Sequence, residues 1–391
     1  MNVLVLHFTH PEGYPPTLNA INCIAEKATK LIILSTDTLP TKWKYAQNVD
    51  LKLIKGEHDR FKFVNRSKLE KFKTYYAYVK KIRSILKKKT IDLVVIYDDV
   101  PFFLYLLATI FLKKNYKLWY HNHDVYPLNT FKKYGINWLG AYTRNKYFSK
   151  INYFSLPALE RKKMFPLSTF NGIFFYIPNY PSKKIILPLK KDFTNWHKEA
   201  FIKIIYPGSP SIKNGFEELI DVMPHPINNK KITLTIVGET NTKYKQELIN
   251  YAISKGVERQ LFFVERLPYV EMSNFLKNYH IGWAMYKPLD MSVSTAGSSS
   301  NKIYEFLANG LPIIVLDNEH HKKHLSISKA TFFCDLSPQS IIKSIEIINN
   351  NISNLSEKAI NEFEDNYQFE IKFNNALTEI IKNIKEPKKL K

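Results

Sequence analysis

Short, nearly continuous apolar runs separated by helical stretches constrain this chain more than any other feature. Ile91-Asp92-Leu93-Val94-Val95-Ile96-Tyr97 is the clearest, and Ile202–Tyr206, Ile232–Val237 and Ile313–Leu316 repeat the pattern. A strand that is apolar on both faces belongs inside a parallel sheet, since a half-exposed strand alternates polar and apolar residues. Parallel neighbours require crossover connections, so a helix must return the chain to the same sheet edge after each run. The expected fold is therefore α/β.

The order of elements predicts two such sheets. In the first half, strands are expected at Asn2–Phe8, Leu31–Ser35, Ile91–Tyr97, Tyr116–Tyr120 and near Tyr153–Ser155. Helices are expected at Thr17–Thr29, Ser67–Lys89, Val100–Leu112 and Leu156–Phe165. Ile177-Pro178-Asn179-Tyr180-Pro181 and the polar stretch to Ala200 then punctuate the chain. A second series follows, with strands at Ile202–Tyr206, Ile232–Val237, Leu261–Val264, Ile281–Met285, Ile313–Leu316 and Ala330–Cys334. Its helices are expected at Phe216–Val222, Lys243–Lys255, Met272–Lys277, Pro338–Asn350 and about Ile371–Lys385. At 391 residues the chain exceeds the usual size of a single core. The reading is two Rossmann-like, doubly wound domains, 1–180 and 201–370, joined by 181–200 and facing a central cleft. The C-terminal helix, 371–391, is expected to pack back toward the first domain.

Cysteine and charge narrow the setting. With only Cys23 and Cys334, there is no disulfide framework and no cysteine metal site, which fits a reducing compartment. The N-terminus lacks a charged segment followed by a long apolar one, and the run Val100–Leu112 is too short to span a bilayer. A cytoplasmic protein, peripheral at the inner face of the plasma membrane, is expected. The net charge of +22 is unevenly placed: residues 1–180 hold 29 Lys and Arg against 12 Asp and Glu. Anionic partners are therefore expected at the first half, where residues 67–89 form a basic amphipathic helix able to rest on an anionic membrane surface. An ordinary core-facing helix with a solvated basic face fits the same pattern. No zinc-finger spacing, RNP aromatic motif or zipper is present, so nucleic acid is not expected as a partner.

Chemistry concentrates at four places. Ser298-Ser299-Ser300-Asn301-Lys302-Ile303-Tyr304-Glu305 opens a short helix closed by Gly310 and Pro312. The serines offer an N-cap, Gly310 suits a C′ position with positive φ, and the open helix end suits a phosphate. Lys302 and Glu305, three residues apart, share a helix face. Pro207-Gly208-Ser209 with Lys213-Asn214-Gly215 follows one strand, and Gly238 follows another. His121-Asn122-His123-Asp124-Val125-Tyr126-Pro127 lies past the end of a first-half strand, where open α/β sheets place ligands. His123 and Asp124 are the candidates there, with Gly13 in the turn-rich loop after the first strand. That loop has no GxGxxG, which argues against NAD. His7, His10, His121 and His123 suggest a metal only weakly, because their spacing is irregular and carboxylate support is missing, so none is expected.

Together these segments resemble the GT-B glycosyltransferases, in particular the large retaining family 4 class. The likeness is carried by Tyr206-Pro207-Gly208-Ser209 with Lys213-Asn214-Gly215, by Leu234-Thr235-Ile236-Val237-Gly238, and by Ser300-Asn301-Lys302 through Glu305 to Gly310-Leu311-Pro312. It covers roughly residues 200–320, and His121–Pro127 and Ile177-Pro178-Asn179 extend it more thinly. The resemblance implies an EC 2.4-type enzyme that uses a nucleoside-diphosphate sugar, UDP- ahead of GDP-, and no separate cofactor. Its acceptor would be a cell-surface polysaccharide or lipid-linked oligosaccharide, and transfer would proceed with retention. It implies catalytic roles for His123, Lys302 and Glu305. Gly208, Ser209, Lys213, Gly238, Ser299, Ser300 and Asn301 would join Lys302 and Glu305 in binding the donor. Gly13 and Asp124 would lie on the acceptor side.

Three positions depart from the family pattern. Gly297 stands where many members carry a first glutamate, Ser209 where many carry arginine, and Glu265 where glycine is usual. These departures leave room for a catalytically inactive partner subunit. The shared architecture leaves room for a sugar-nucleotide epimerase.

Overall fold

Every strand pairing in both sheets is parallel. The computed structural model describes residues 1–36, 43–54, 66–113, 115–186, 188, 190–238, 243–289 and 291–386. The chain divides into two units, Met1–Pro178 with the segment from Phe369 onward, and Asn179–Gln368.

The first unit runs β1 (Asn2–Leu6), α1 (Pro15–Lys27), β2 (Lys30–Thr36), β3 (Val49–Ile54), α2 (Lys68–Lys88), β4 (Leu93–Tyr97) and α3 (Asp99–Ala108). It continues with β5 (Lys117–His121), α4 (Ile136–Lys146), β6 (Tyr153–Leu156) and β7 (Ile173–Tyr176). Among the described residues these strands form a seven-stranded sheet of order β3-β2-β1-β4-β5-β6-β7. Leu4, Leu6, Val94 and Ile96 on the strands and Tyr78, Ile82 and Phe102 on the helices form its buried core.

The second unit runs β8 (Phe201–Pro207), α5 (Phe216–Val222), β9 (Lys231–Val237), α6 (Lys243–Ser254), β10 (Leu261–Val264), α7 (Tyr269–Leu276) and β11 (Ile281–Ala284). Three helices follow, α8 (Met291–Ser294), α9 (Ala296–Ser299) and α10 (Asn301–Ala308). Then come β12 (Ile313–Leu316), α11 (Glu319–Leu325), β13 (Thr331–Cys334), α12 (Pro338–Asn350) and α13 (Ile352–Asn366). Among the described residues its six strands are ordered β10-β9-β8-β11-β12-β13. The last helix, α14 (Phe369–Lys385), belongs to the first unit, where Phe373 stacks on Trp119 with ring centroids 5.2 Å apart.

In each sheet the strand order reverses once, between β1 and β4 and between β8 and β11. Such switch points open a crevice outside the carboxyl ends of the strands. Both candidate sites lie there.

Several local expectations need correction. The helix expected at Leu156–Phe165 is a 3-10 segment, Leu159–Met164. The helix expected over Val100–Leu112 ends at Ala108. Strands β3 and β7 and helices α4, α11 and α13 were not anticipated, although β3 alternates apolar and polar residues and α13 carries an apolar stripe at Ile352, Leu355, Ala359, Ile360 and Phe363. Helix α2 starts at a capping box in which Ser67 and Glu70 bond reciprocally. Its core face is Thr74, Tyr78, Ile82 and Ile85, while Leu69, Phe72 and Tyr76 stay at least 60% exposed among its lysines. The helix is core-facing and yet presents apolar side chains outward. Among the described residues, no helix is long and apolar enough to cross a membrane.

Candidate active site

The second-unit site is built from two glycine loops and one helix end. Strand β8 delivers Gly208 and β9 delivers Gly238, and the Gly208 N–H donates to the Val237 carbonyl at 2.7 Å. A β-carbon on Gly238 would lie 2.6–2.7 Å from the backbone carbonyl of Gly208. One on Gly208 would lie 2.9 Å from the Tyr206 ring and 3.0 Å from both Cε and Nζ of Lys302. Lys302, in the first turn of α10, is thus brought over the end of β8, its amine 5.1 Å from the Tyr206 ring centroid. Burial opposes its charge, but Tyr206, Tyr286 and the Glu305 carboxyl outweigh this and hold its pKa above the ordinary lysine value. The ammonium is therefore retained at neutral pH.

The end of α10 differs from the sequence expectation in one respect. Ser300 is the N-cap residue, but its side chain makes no capping bond. Its hydroxyl pairs instead with the Tyr286 hydroxyl at 3.0 Å. Ser299 Oγ donates to the Thr295 carbonyl, and the serine segment before α10 is the helical turn α9 rather than a loop. Asn179 braces that turn, donating from its backbone to the Ser298 carbonyl and from Nδ2 to the Ser299 carbonyl at 2.7 Å. The start of α10 therefore has no side-chain cap from Ser300. At the other end Gly310 takes φ +66°, the left-handed C′ conformation expected of it.

Glu305 is 3% exposed, and its Oε1 accepts from Asn301 Nδ2 at 2.8 Å. Burial raises its pKa, while Asn301, Tyr269 and Lys302 oppose the rise. Lys213 is half-buried, and hydrogen bonds from β11 and its following segment pin its loop. Trp283 Nε1 donates to the Asn214 carbonyl at 2.7 Å, and the Lys287 N–H donates to the Lys213 carbonyl at 2.8 Å. Ser209 is exposed at the rim. Gly297 has no room for a side chain, since its β-carbon would meet His320 Nδ1 at 2.8 Å.

The first-unit site gathers residues from three adjacent strand ends. His7 follows β1, Asp98 follows β4 and His123 follows β5. Asp98 accepts twice from His123, at Oδ1 from the backbone N–H (2.7 Å) and at Oδ2 facing Nδ1 (3.1 Å). His123 Nε2 lies 3.3 Å from Thr17 Oγ1, and the imidazole is 1% exposed. Tyr97 stacks on the ring at 5.1 Å, Tyr14 lies at 4.5 Å, and Arg161 donates to the His123 carbonyl. Asp124 is at the open side, where it accepts from the Tyr14 hydroxyl at 2.7 Å. Gly13 ends the turn Pro11–Gly13, its N–H on the His10 carbonyl at 3.1 Å.

Burial, then the neighbouring His123, lowers the His7 pKa to about 4. Burial pushes the Asp98 carboxyl up, but His123 and its N–H outweigh this and hold it at about 2. The expectation that no carboxylate supports these histidines is corrected: one ligand atom each from His7, Asp98 and His123 lies within 4.8 Å of the others. Asp98 also has φ +67° and ψ 173°, a region other residues leave to glycine at a cost of about 1–3 kcal/mol. Sequence reasoning passed over Asp98, Thr17, Arg161, Tyr206, Tyr286 and Asn179. Asp98, directly after the predicted strand Ile91–Tyr97, and Tyr206 and Asn179, within Tyr206-Pro207-Gly208-Ser209 and Ile177-Pro178-Asn179, did carry a positional signal.

Residues 190–364, lying within the second unit, match the family described as Glycosyl transferases group 1. The chain thus carries a glycosyltransferase group 1 domain and is an enzyme of the glycosyltransferase class. Its fold is GT-B-like, shared with sucrose-phosphate synthase from Thermosynechococcus elongatus (9% identity, TM-score 0.69, covering 97% of this chain and 99% of that one). It is shared likewise with Anabaena HepE in complex with UDP and glucose (12% identity, TM-score 0.66, 97% and 99%). A putative UDP-N-acetylglucosamine 2-epimerase from Listeria monocytogenes is also similar (12%, TM-score 0.59, 98% and 97%). At these identities the likeness is one of fold alone. No curated protein matches the sequence.

Proposed function

We propose that this protein transfers a sugar from a nucleoside-diphosphate sugar, UDP- ahead of GDP-, to a saccharide or lipid-linked acceptor, with retention in the manner of family 4. One observation carries the reading: the Lys302 ammonium lies against Gly208 at the switch point between β8 and β11. The leaving group is a nucleoside diphosphate, on which negative charge grows as the glycosidic bond breaks. A fixed cation and the N–H groups at the start of α10 favour that charge in the transition state more than in the ground state. Lys213 adds a second positive charge at the rim. Glu305 accepts hydrogen bonds from the ribose hydroxyls in exchange for its bond to Asn301. That HepE is described with UDP and glucose supports the uridine assignment.

The acceptor binds the first unit, with His123 and Asp124 at its reacting end and Gly13 leaving room beside them. The exposed Leu69, Phe72 and Tyr76 set among the lysines of α2 support an anionic membrane surface as the place of work. A polysaccharide or lipid-linked oligosaccharide fits that location.

A panel of sugar nucleotides scored by thermal shift, followed by calorimetry, tests the donor assignment, since a true donor stabilises the folded state by mass action. Lys302→Ala is expected to lower kcat/KM by about 100-fold or more with the fold retained. Full activity in that variant would remove the donor site as assigned.

The catalytically silent subunit is the second reading, favoured by the filled space at Gly297. It predicts no binding to any nucleoside diphosphate. An epimerase would convert its nucleotide sugar without an acceptor.

A further inference from the structure

We propose that a cavity at the amino ends of β8 and β11 binds a phosphate or a small phosphate monoester, apart from the donor site at their carboxyl ends. The cavity measures about 300 Å³, and its walls include Lys190, Lys191, Trp196, Glu199, Lys277 and His280. All of these residues belong to the second unit. His280 directly precedes β11, and its N–H donates to the carbonyl of Lys203 in β8 at 2.8 Å. About 16 Å of strand lies between Lys203 and Gly208, so the cavity and the donor loops are distinct places. The volume is at the small end of ligand pockets, which suits a phosphate ester better than a nucleotide.

His280 is the group that points to a ligand. It is only 8% exposed, and the backbone N–H of Lys203 donates to its Nδ1 at 3.0 Å. The proton of the neutral ring therefore sits on Nε2. Among the described residues that N–H has no hydrogen-bond partner, and a buried donor needs an acceptor. Lys191 supplies a second donor. Its amine donates to the carbonyls of Leu276, at 3.3 Å, and Tyr279, and its ammonium form has a third hydrogen to give. Lys277 has no ion-pair partner among the described residues, and Lys190 has only the exposed Glu357 at 3.4 Å. The carboxylates nearby are engaged: Asp192 accepts from the N–H and hydroxyl of Thr194, and Glu199 lies 3.8 Å from Lys203. Burial, then the charges of Lys191, Lys203 and Lys230, lowers the His280 pKa to about 3. Surroundings that repel a further proton favour an anion. One wall is fixed before any ligand arrives, since Trp196 donates to the Asn349 carbonyl at 3.0 Å and lies under Lys230 at 4.5 Å.

Calorimetric titration of the full chain with inorganic phosphate and, separately, with ribose 5-phosphate tests this. Saturable binding with Kd below about 10 mM is expected for at least one probe. Lys277→Gln, on an exposed side chain that the fold does not use, and Lys191→Met are each expected to weaken it about tenfold. Lys302→Ala is expected to leave it within about twofold, because the donor loops take no part. The His280 Nε2–H resonance is expected to move on addition of the probe, which locates the site in the unsubstituted chain. Tighter binding of the ester would assign the sugar portion to the cavity, and equal binding would assign free phosphate; both uphold the site. No binding of either probe, binding lost in Lys302→Ala, or a His280 signal that stays in place would overturn it. The outcome does not depend on whether the chain transfers sugar.

Discussion

The tip of Lys302 lies against Gly208, with both Cε and Nζ 3.0 Å from where a β-carbon on that glycine would stand. The contact joins residues on separate elements of the second unit, and it makes the glycine's missing side chain part of the cation's setting. Gly208→Ala is therefore expected to displace the Lys302 ammonium and weaken UDP binding by about tenfold or more, on the scale of about 1–3 kcal/mol for an overpacked contact. Calorimetry with UDP checks this, with circular dichroism expected to remain native.

Gly238→Ala acts on the fold rather than on the cation. Its β-carbon would press on the carbonyl of Gly208, backbone against backbone, where no flexible side chain can yield. A loss of about 1–3 kcal/mol is expected. Denaturant unfolding that matched wild type would contradict the close approach of the two loops.

In the proposed donor site, positive charge comes from Lys302, Lys213 and the start of α10. Donor binding is thus expected to survive chelation. Titration of UDP into chelator-treated protein is expected to match untreated protein within about twofold, a difference well below 1 kcal/mol. A tenfold loss restored by a divalent cation would contradict it.

Lys191 provides a pH prediction for the second unit. Its amine donates to the Leu276 carbonyl at 3.3 Å and to that of Tyr279, and burial lowers its pKa to about 7. The unfolded lysine holds its proton to about pH 10.4, so between about 7 and 10 the unfolded state binds more protons than the folded one. Stability from this group is accordingly present at high pH and lost as pH falls through about 7. Lys191→Met is expected to flatten the dependence of the melting temperature on pH across that window. An unchanged slope would show that the amine is not desolvated.

Much of the second unit's α/β order was legible in the chain itself. The apolar runs read correctly as parallel strands because a strand buried on both faces needs apolar side chains throughout. Gly310 read as a helix stop because local backbone conformation is written in residue type. The serines before α10 misled, because a capping hydroxyl and one bonded to Tyr286 look the same in sequence. His123 was found from its place after a strand, yet Asp98, 25 residues earlier, was passed over as the residue before an apolar helix.

The sequence by itself determined the order of strands and helices, the two α/β series, and the residue types available for chemistry, since these depend on short-range periodicity and turn preference. The tertiary structure decided which strand ends become neighbours. Strand order 1-4-5 brings His7, Asp98 and His123 together, order 9-8-11 sets Gly238 beside Gly208, and α14 returns to stack Phe373 on Trp119. The physical reason is that pairing between distant strands is selected by the packing of whole faces, and no local window of residues contains that choice.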